Sequence, residues 1–231
     1  MTDPATLHLR PSAPLAERVL LPGDPHRALT VAQALLDGPK MFNHNRGLWG
    51  YTGVARDGEL LTVQATGMGG PSAAIVVEEL IDLGARTLLR IGTCGALREG
   101  FGLGELVAAT DVIGTDGTSA ALGAGPRLTP DDALTAALTA AGARPVTALT
   151  TDLFYDPRED APRAWLEDGA DVVEMEAATL LAIADRRDVA AAVVLGVTDL
   201  LAGGDRKRIP HGDVEPLGLA LGEAGWTALA G

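Results

Sequence analysis

Apolar runs of strand length alternate with helical patterns along this chain of 231 residues. Residues 87–91 are mostly apolar, with Leu88, Leu89 and Ile91, which is typical of a central strand that is covered on both faces. Strands that alternate with helices favour a mainly parallel sheet with helices on both sides. The pattern therefore predicts an α/β fold, a three-layer α/β/α sandwich around a central mixed, mainly parallel sheet.

Turn and helix-boundary residues give the approximate limits of these elements. Asp57-Gly58 between two apolar runs is a strong hairpin signal, and Pro71 suits the first turn of a helix that Gly84 can end. Strands are predicted at Arg18–Leu21, 49–55, 60–66, 87–91, 106–113, 145–151 and 190–197. Helices are predicted at about 26–36, 72–83 and 174–186, with a last helix after Pro216.

The length of the chain suits one large core, and no repeat or linker divides it, so a single domain over residues 1–231 is expected. The single cysteine, Cys94, excludes an intramolecular disulfide framework, and no Cys/His spacing indicates a zinc site, so no metal is predicted. Residues 1–18 lack the apolar region of a signal peptide, and no apolar run reaches membrane-spanning length. A cytoplasmic protein without a membrane partner is expected.

The formal net charge of the chain is −13, from 18 Lys and Arg against 31 Asp and Glu. This charge opposes nonspecific attraction to nucleic acid, so no nucleic-acid partner is predicted. A small anion can still bind where a few arginines and backbone amides form a local positive pocket. The positions of the arginines are therefore informative.

Two arginine segments are candidate anion sites. In the turn 22–27, Gly23 and a helix N-terminus can present backbone amides while Arg27 adds a charged fork, although a plain turn with a solvated arginine is favoured for this segment alone. Arg90 lies near the end of the apolar run 87–91, where an arginine is costly unless it meets an anion or a carboxylate. Thr93 offers a hydroxyl nearby. The sequence leaves the anion and the carboxylate equally open.

Two other segments contain weaker candidates. Arg46 precedes a glycine at the entrance of a predicted strand, and Met68 lies between two glycines at the end of the next strand. Simple turn chemistry accounts for both segments equally well. Methionine is more often a core residue than a ligand contact, so Met68 alone predicts core packing.

Three acids lie where strands meet helices or loops. Glu174 and Glu176 flank Met175, and they can either stabilise a helix N-terminus or accept hydrogen bonds from vicinal hydroxyls such as those of ribose. Asp199 follows the apolar run 190–197, where partial burial would favour its protonated form and let it donate a proton. The alternative for Asp199 is a structural pair with Arg206 or Arg208.

Taken together, six segments resemble the bacterial-type purine nucleoside phosphorylase and uridine phosphorylase family. Each segment is weak alone, but their order is specific to the family. The segments are Leu21-Pro22-Gly23-Asp24-Pro25-His26-Arg27-Ala28, Asn45-Arg46-Gly47, Gly67-Met68-Gly69-Gly70-Pro71-Ser72, Arg90-Ile91-Gly92-Thr93-Cys94-Gly95, Leu153-Phe154-Tyr155 and Glu174-Met175-Glu176-Ala177-Ala178.

The resemblance implies three groups of binding residues. The implied phosphate site is Gly23, Arg27, Arg90 and Thr93, with Arg46 from a neighbouring subunit. The implied ribose site is Met68, Met175 and Glu176, with His8 from a neighbouring subunit near the 5′-hydroxyl. The implied base site is Phe154 and Val173. A homohexamer arranged as a trimer of dimers is expected from the family, with inorganic phosphate as co-substrate and no cofactor.

Asp199 distinguishes between the chemistries of the family. Purine enzymes that accept 6-aminopurines carry an aspartate here that protonates the leaving base, so the resemblance implies a purine nucleoside phosphorylase with Asp199 as proton donor. A uridine or methylthioadenosine phosphorylase, and a non-catalytic nucleoside-binding protein, are the alternatives. Family purine enzymes often carry an arginine about a dozen residues later, but Gly212 stands there in this chain, and Arg206 and Arg208 are the nearest candidates.

Overall fold

One mixed sheet forms the centre of the protein, seen here in a computed structural model that describes residues 6–203 and 206–231. Residues 1–5, which belong to the segment where no signal peptide is predicted, lie outside the described residues. The strands are β1 (Arg18–Leu21), β2 (Asp37–Asn43), β3 (Gly50–Val54), β4 (Leu60–Gln64), β5 (Thr87–Ala96), β6 (Leu106–Gly114), β7 (Arg127–Leu128), β8 (Arg144–Thr150), β9 (Val172–Glu174), β10 (Ala190–Leu200) and β11 (Lys207–Arg208).

The helices lie on both sides of this sheet, as the sequence predicts. They are α1 (Pro25–Leu35), α2 (Gly70–Leu83), α3 (Gly117–Ala121), α4 (Asp132–Ala140), α5 (Ala161–Glu167), α6 (Ala177–Arg187) and α7 (His211–Ala230), with a 3-10 turn at Asn45–Gly47. Apolar residues of α2 and α6 pack in one core, and those of α1, α4 and α7 pack in another. The helices that cover these two cores form the outer layers of an α/β fold.

The parallel strands of the sheet bring the ends of several elements together. β1 pairs in parallel with β4 and β5, and β10 pairs in parallel with β5. β5, β9, β8, β6 and β10 pair in sequence, and the direct pairing of β10 with β5 closes this group into a ring. Since ligands collect at the carboxyl ends of parallel strands, the ends of β1, β5 and β10 are where a site is expected.

Local signals explain most element boundaries. The side chain of Asp24 accepts a hydrogen bond from the backbone N–H of His26 at 2.8 Å, which caps α1. α2 has a proline in its first turn and ends at Gly84, whose φ is 118°. β3 and β4 form the predicted antiparallel hairpin, and Gly58 at its turn has a φ of 87°.

Two predicted boundaries near the ends of β5 and β9 are wrong. β5 continues to Ala96, so Arg90 lies inside a strand rather than at its end. The extension occurs because β10 pairs along the whole of β5, and β9 pairs with Gly95 and Ala96. Glu174 is the last residue of β9, and α6 begins at Ala177 rather than at Glu174.

The last helix also begins earlier than the sequence predicts. α7 starts at His211 and contains Pro216. Proline lacks an N–H and is tolerated best near a helix start, where few intrahelical bonds are lost. Pro216 lies in the second turn of α7, where its missing N–H costs the helix only the bond to the Gly212 carbonyl. β2 is absent from the predicted elements because Gly38 and Pro39 are turn signals.

None of the helices formed by residues 6–203 and 206–231 combines the length and the apolar character needed to span a bilayer.

Candidate active site

A cleft of about 530 Å³ opens at the carboxyl ends of the central strands. It brings together most of the residues that the sequence singles out, although they come from separate loops and strands. The predicted site residues that line it are Gly23, Arg27, Met68, Arg90, Thr93, Phe154, Val173, Met175, Glu176 and Asp199. The part of the chain that the structure describes contains no group of three or more His, Cys, Asp or Glu side chains suited to a metal ion.

The turn after β1 forms one wall of the cleft with the turn after β4. The backbone N–H of Gly67 donates to the carbonyl of Gly23 at 3.1 Å, and a Cβ on Gly23 would come within 3.2 Å of the Gly67 carbonyl oxygen. Glycine therefore lets the two turns meet closely. Arg27 follows on α1, with Nη1 3.4 Å from the Ile91 carbonyl oxygen. Burial lowers the pKa of Arg27, and its charge lies against the cleft rather than in solvent.

Arg90 is buried and pairs with both acids of the Glu-Met-Glu segment. Its Nε donates to Glu174 Oε2 at 3.0 Å, and its Nη2 lies 2.5 Å from Glu176 Oε2. Burial opposes the charge of Arg90, but the carboxylates of Glu176 and Glu174 outweigh burial and raise its pKa. The carboxylate that the sequence left open as an alternative is therefore present, and Arg90 still borders the cleft.

Gly92 lets the Arg90 side chain reach these acids. The two residues lie on the same face of β5, and a Cβ on Gly92 would come within 2.6 Å of Arg90 Nη2. The guanidinium thus lies across the strand where only a glycine leaves room. This close approach sets the direction of Arg90.

The two glutamates of this segment have different surroundings. The carboxylate of Glu174 is fully buried, and it accepts hydrogen bonds from the Thr150 hydroxyl, from Arg90 and from the backbone N–H groups of Glu176 and Ala177. Burial raises the pKa of Glu174. Because a carboxylate offers about four acceptor sites, these bonds leave Glu174 no free acceptor for a ligand.

Glu176 keeps acceptor capacity that faces the cleft. Its Oε1 accepts the backbone N–H of Gly69 at 2.5 Å, and its Oε2 meets Arg90. Both oxygens retain a further lone pair, so the carboxylate can still accept two hydroxyl hydrogens. The sequence analysis named Glu176 for the ribose site. The alternative that it left open for this segment, stabilisation of a helix N-terminus, describes Glu174, which accepts the Ala177 N–H at the start of α6.

Asp199 also lines the cleft, and it is buried in an ion pair. The Thr198 hydroxyl donates to Asp199 Oδ2 at 2.9 Å, Arg206 Nε donates to Oδ1 at 2.9 Å, and Arg206 Nη2 lies 2.8 Å from Oδ1. Arg208 is farther, with Nε 3.9 Å from the same oxygen. The pairing with arginine that the sequence left open is thus present, and Arg206 lines the cleft beside Asp199.

Apolar side chains enclose the cleft around Asp199. Gly95 pairs with Val173 across β5 and β9, and a Cβ on Gly95 would come within 2.7 Å of Leu201 Cδ1. Trp165 and Phe154 also line the wall. Flat apolar walls with one polar edge suit an aromatic heterocycle. Trp165 and Leu201 are not among the predicted residues, since both come from segments without a recognisable motif.

Three predicted site residues, Met68, His8 and Arg46, lie at the rim of the cleft or outside it. Met68 is 86% exposed at the rim, so the interpretation as a core residue is wrong. His8 and Arg46 do not line the cleft of their own chain. His8 Nδ1 lies 2.7 Å from Glu79 Oε1 on α2, and Arg46 is exposed in the 3-10 turn with a φ of 58°.

A family model described as the phosphorylase superfamily matches residues 17–217. A purine nucleoside phosphorylase DeoD-type of Roseobacter denitrificans is 36% identical over 211 residues, which cover 87% of this chain and 89% of the relative. Another of that name, from Caldanaerobacter subterraneus, is 38% identical over 200 residues, which cover 83% and 86%. A third, from Clostridium perfringens, is 36% identical over 196 residues, which cover 81% and 83%.

Proposed function

The chain belongs to the phosphorylase superfamily, and on that premise we propose that it is a purine nucleoside phosphorylase. It uses inorganic phosphate, without a cofactor, to convert a purine (deoxy)ribonucleoside to the free base and (deoxy)ribose 1-phosphate. The observation that carries this proposal is the meeting of Arg27, Arg90, Glu176 and Asp199 in one cleft. These residues supply an anion site, a hydroxyl acceptor and a carboxyl group beside an apolar wall.

Phosphate is held in this proposal by Gly23, Arg27, Arg90 and Thr93. Guanidinium groups suit phosphate oxygens because their N–H groups form two parallel bonds. Arg27 and Arg90 both border the cleft, and the Thr93 hydroxyl lies three residues beyond Arg90 on β5. The α1 N-terminus beside Gly23 adds backbone amides.

Ribose lies between Met68, Met175 and Glu176 in this proposal. The two hydroxyls of the sugar donate to the free lone pairs of Glu176, whose other lone pairs face the Gly69 backbone N–H and the Arg90 guanidinium. This arrangement puts C1′ of the sugar next to the phosphate. Phe154 and Val173 contact the base.

The reaction breaks the bond between C1′ and the base nitrogen while a phosphate oxygen bonds to C1′. Positive charge develops at C1′ and the ring oxygen, and the phosphate stabilises it electrostatically. The base leaves with the electron pair of the broken bond. Asp199 acts here in its protonated form: its carboxyl proton goes to N7 of the base, which therefore leaves as a neutral molecule, and Arg206 stabilises the carboxylate that remains.

Neighbouring subunits complete the site in this proposal. His8 and Arg46 lie outside the cleft of their own chain, which agrees with a homohexamer whose sites are shared between subunits. The proposed enzyme has a single domain over residues 1–231 and acts in the cytoplasm.

The test is to incubate the protein with inosine, guanosine or adenosine, with and without phosphate, and to follow free base and ribose 1-phosphate. We expect base release that depends on phosphate. Release without phosphate would indicate hydrolysis, and a preference for uridine would indicate a different leaving group. Binding of nucleosides in calorimetry without any turnover would instead support a non-catalytic binding protein.

A further inference from the structure

Arg206 lies at a different part of the cleft from the arginines proposed to hold phosphate. In the parallel pairing of β5 and β10, Thr93 is opposite Gly196, and Asp199 is opposite Gly95. Asp199 is thus about two residues farther along the strands than Thr93, or about 7 Å at the usual rise. Arg206, bound to Asp199, therefore has a position suited to the base rather than to phosphate.

Two contacts fix the guanidinium of Arg206. Its Nε donates to Asp199 Oδ1 with Nη2 2.8 Å from the same oxygen, and its Cζ lies 5.1 Å from the centre of the Phe154 ring. A guanidinium has five N–H groups and accepts no hydrogen bond, so several donors remain for a ligand. The Arg206 side chain is 44% exposed, and it borders the same cleft as Phe154.

Purine bases differ on the edge that such a group would meet. N7 and the substituent on C6 are neighbours on this edge: guanine offers two acceptors there, N7 and O6, whereas adenine offers the N7 acceptor and an amino donor. Arginine pairs well with the N7 and O6 acceptors, and it has no acceptor for an amino group. Arg206, next to Asp199, thus matches the acceptors of a 6-oxopurine better than the amino group of a 6-aminopurine.

We propose that Arg206 is a specificity-determining residue that directs the base site toward 6-oxopurine nucleosides such as inosine and guanosine. This inference rests on the proposed function and names the substrate class of the same site. Arg206 donates to O6 of the base. As the glycosidic bond breaks, the base takes the electron pair, part of the negative charge reaches O6, and the bond from Arg206 becomes stronger.

A 6-aminopurine gains less from this arrangement. Its amino group faces donors on Arg206, so the carboxyl group of Asp199 must assist the leaving base alone. The two residues therefore affect the two substrate classes differently. Removing Arg206 should slow mainly the cleavage of 6-oxopurine nucleosides, whereas removing Asp199 should slow the cleavage of both classes.

The experiment compares kcat/KM for inosine and adenosine at saturating phosphate in Arg206→Met, Arg206→Lys and the wild type. Arg208→Met is the matched control, because Arg208 is 70% exposed and 3.9 Å from Asp199. We expect the wild type to prefer inosine. We expect Arg206→Met to lower the ratio of kcat/KM for inosine to kcat/KM for adenosine about tenfold or more, which is the effect of one good base contact. Arg206→Lys recovers part of this loss, and Arg208→Met keeps the wild-type ratio.

Several results would overturn the inference. They are an equal loss on both substrates in Arg206→Met, no loss at all, a larger loss on adenosine, or a wild type that prefers adenosine. An equal loss would mean that Arg206 only positions Asp199. Failure of the proposed function looks different, since the wild type would then cleave no purine nucleoside with phosphate.

Discussion

The Nη2 atom of Arg90 lies 2.5 Å from Oε2 of Glu176, so one buried ion pair joins the proposed phosphate and ribose groups. Glu174 binds the same guanidinium through Nε. This region contains two arginines, Arg27 and Arg90, and two glutamates. Their formal charges sum to zero. A phosphate dianion therefore shares Arg90 with carboxylates, and a further cation would strengthen its binding.

Arg46 from a neighbouring subunit is the expected further cation. Arg46→Ala should raise the KM for phosphate and leave the thermal stability nearly unchanged, because the side chain is exposed in its own chain. Mixing is the sharper measurement: chains with Arg46→Ala and chains with Arg90→Ala, each weakly active, should regain activity when they are unfolded together and reassembled. A mixture no more active than its components would contradict the sharing of sites.

Asp199→Asn should lower kcat for adenosine roughly 10²–10⁴-fold, since it removes a proton donor that acts mainly in the transition state. The KM should change much less. Steady-state kinetics with saturating phosphate measure both. Asp213→Asn, at an exposed position in the first turn of α7, is the matched control and should leave kcat unchanged. An Asp199→Asn enzyme with normal turnover would remove Asp199 from the mechanism.

Glu174→Gln should destabilise the protein by about 3 kcal/mol, because it removes one partner of a buried ion pair and leaves Arg90 with less compensation. The KM for phosphate should rise as Arg90 loses its fixed direction. Urea unfolding and steady-state kinetics test these effects. Glu223→Gln is the control, since Glu223 pairs with Arg56 on the surface and should cost below about 1 kcal/mol. Equal costs for the two variants would contradict the role of Glu174.

Gly92→Ala should raise the KM for phosphate about tenfold or more, because the added methyl group displaces the Arg90 guanidinium. Gly102→Ala is the control: the nearest atom to its Cβ is Glu105 Oε2 at 3.9 Å. Phosphate titrations of initial rate compare the two. Unchanged phosphate kinetics in Gly92→Ala would show that the direction of Arg90 is unimportant.

The stability that Glu79 contributes should depend on pH. Burial acts to raise the pKa of Glu79, but hydrogen bonds from the backbone of Leu9 and from His8 outweigh it and lower the pKa. A lowered folded-state pKa means that the contribution is complete above the unfolded value, about 4.3, and is lost as the pH falls through the folded value.

Glu79→Gln should therefore be less stable than the wild type at pH 7, and the difference should shrink below about pH 4. Urea midpoints measured between pH 3 and 7 give this comparison. A difference that stays constant with pH would mean that the carboxylate charge is not what anchors the segment around His8.

Much of the fold follows from local signals, and the failures occur where pairing between distant strands decides. The hairpin at Asp57-Gly58 and the helix that ends at Gly84 are predicted because turn residues act locally. β5 extends past Gly92 and Gly95, which the sequence does not predict, since the pairing partners β10 and β9 come from much later in the chain.

The predicted site residues illustrate the same limit. Gly23, Arg27 and Thr93 are recognisable because each belongs to a short motif. The contacts of Arg90 with Glu174 join residues 84 positions apart, so no local pattern indicates them. Arg206 was only one of two candidates near Asp199, and the distances of 2.8 Å for Arg206 and 3.9 Å for Arg208 distinguish them.

The sequence by itself determined the α/β architecture, because apolar periodicity and turn chemistry act over a few neighbouring residues, and the resemblance of six short segments to a known family implied the site residues. Only the tertiary structure decided that both glutamates bind Arg90, that Arg206 is the arginine nearest to Asp199, and that Glu174 has no acceptor left for a ligand. Those outcomes depend on distances between side chains that the sheet brings together from distant parts of the chain, and charge interactions change steeply with distance and burial.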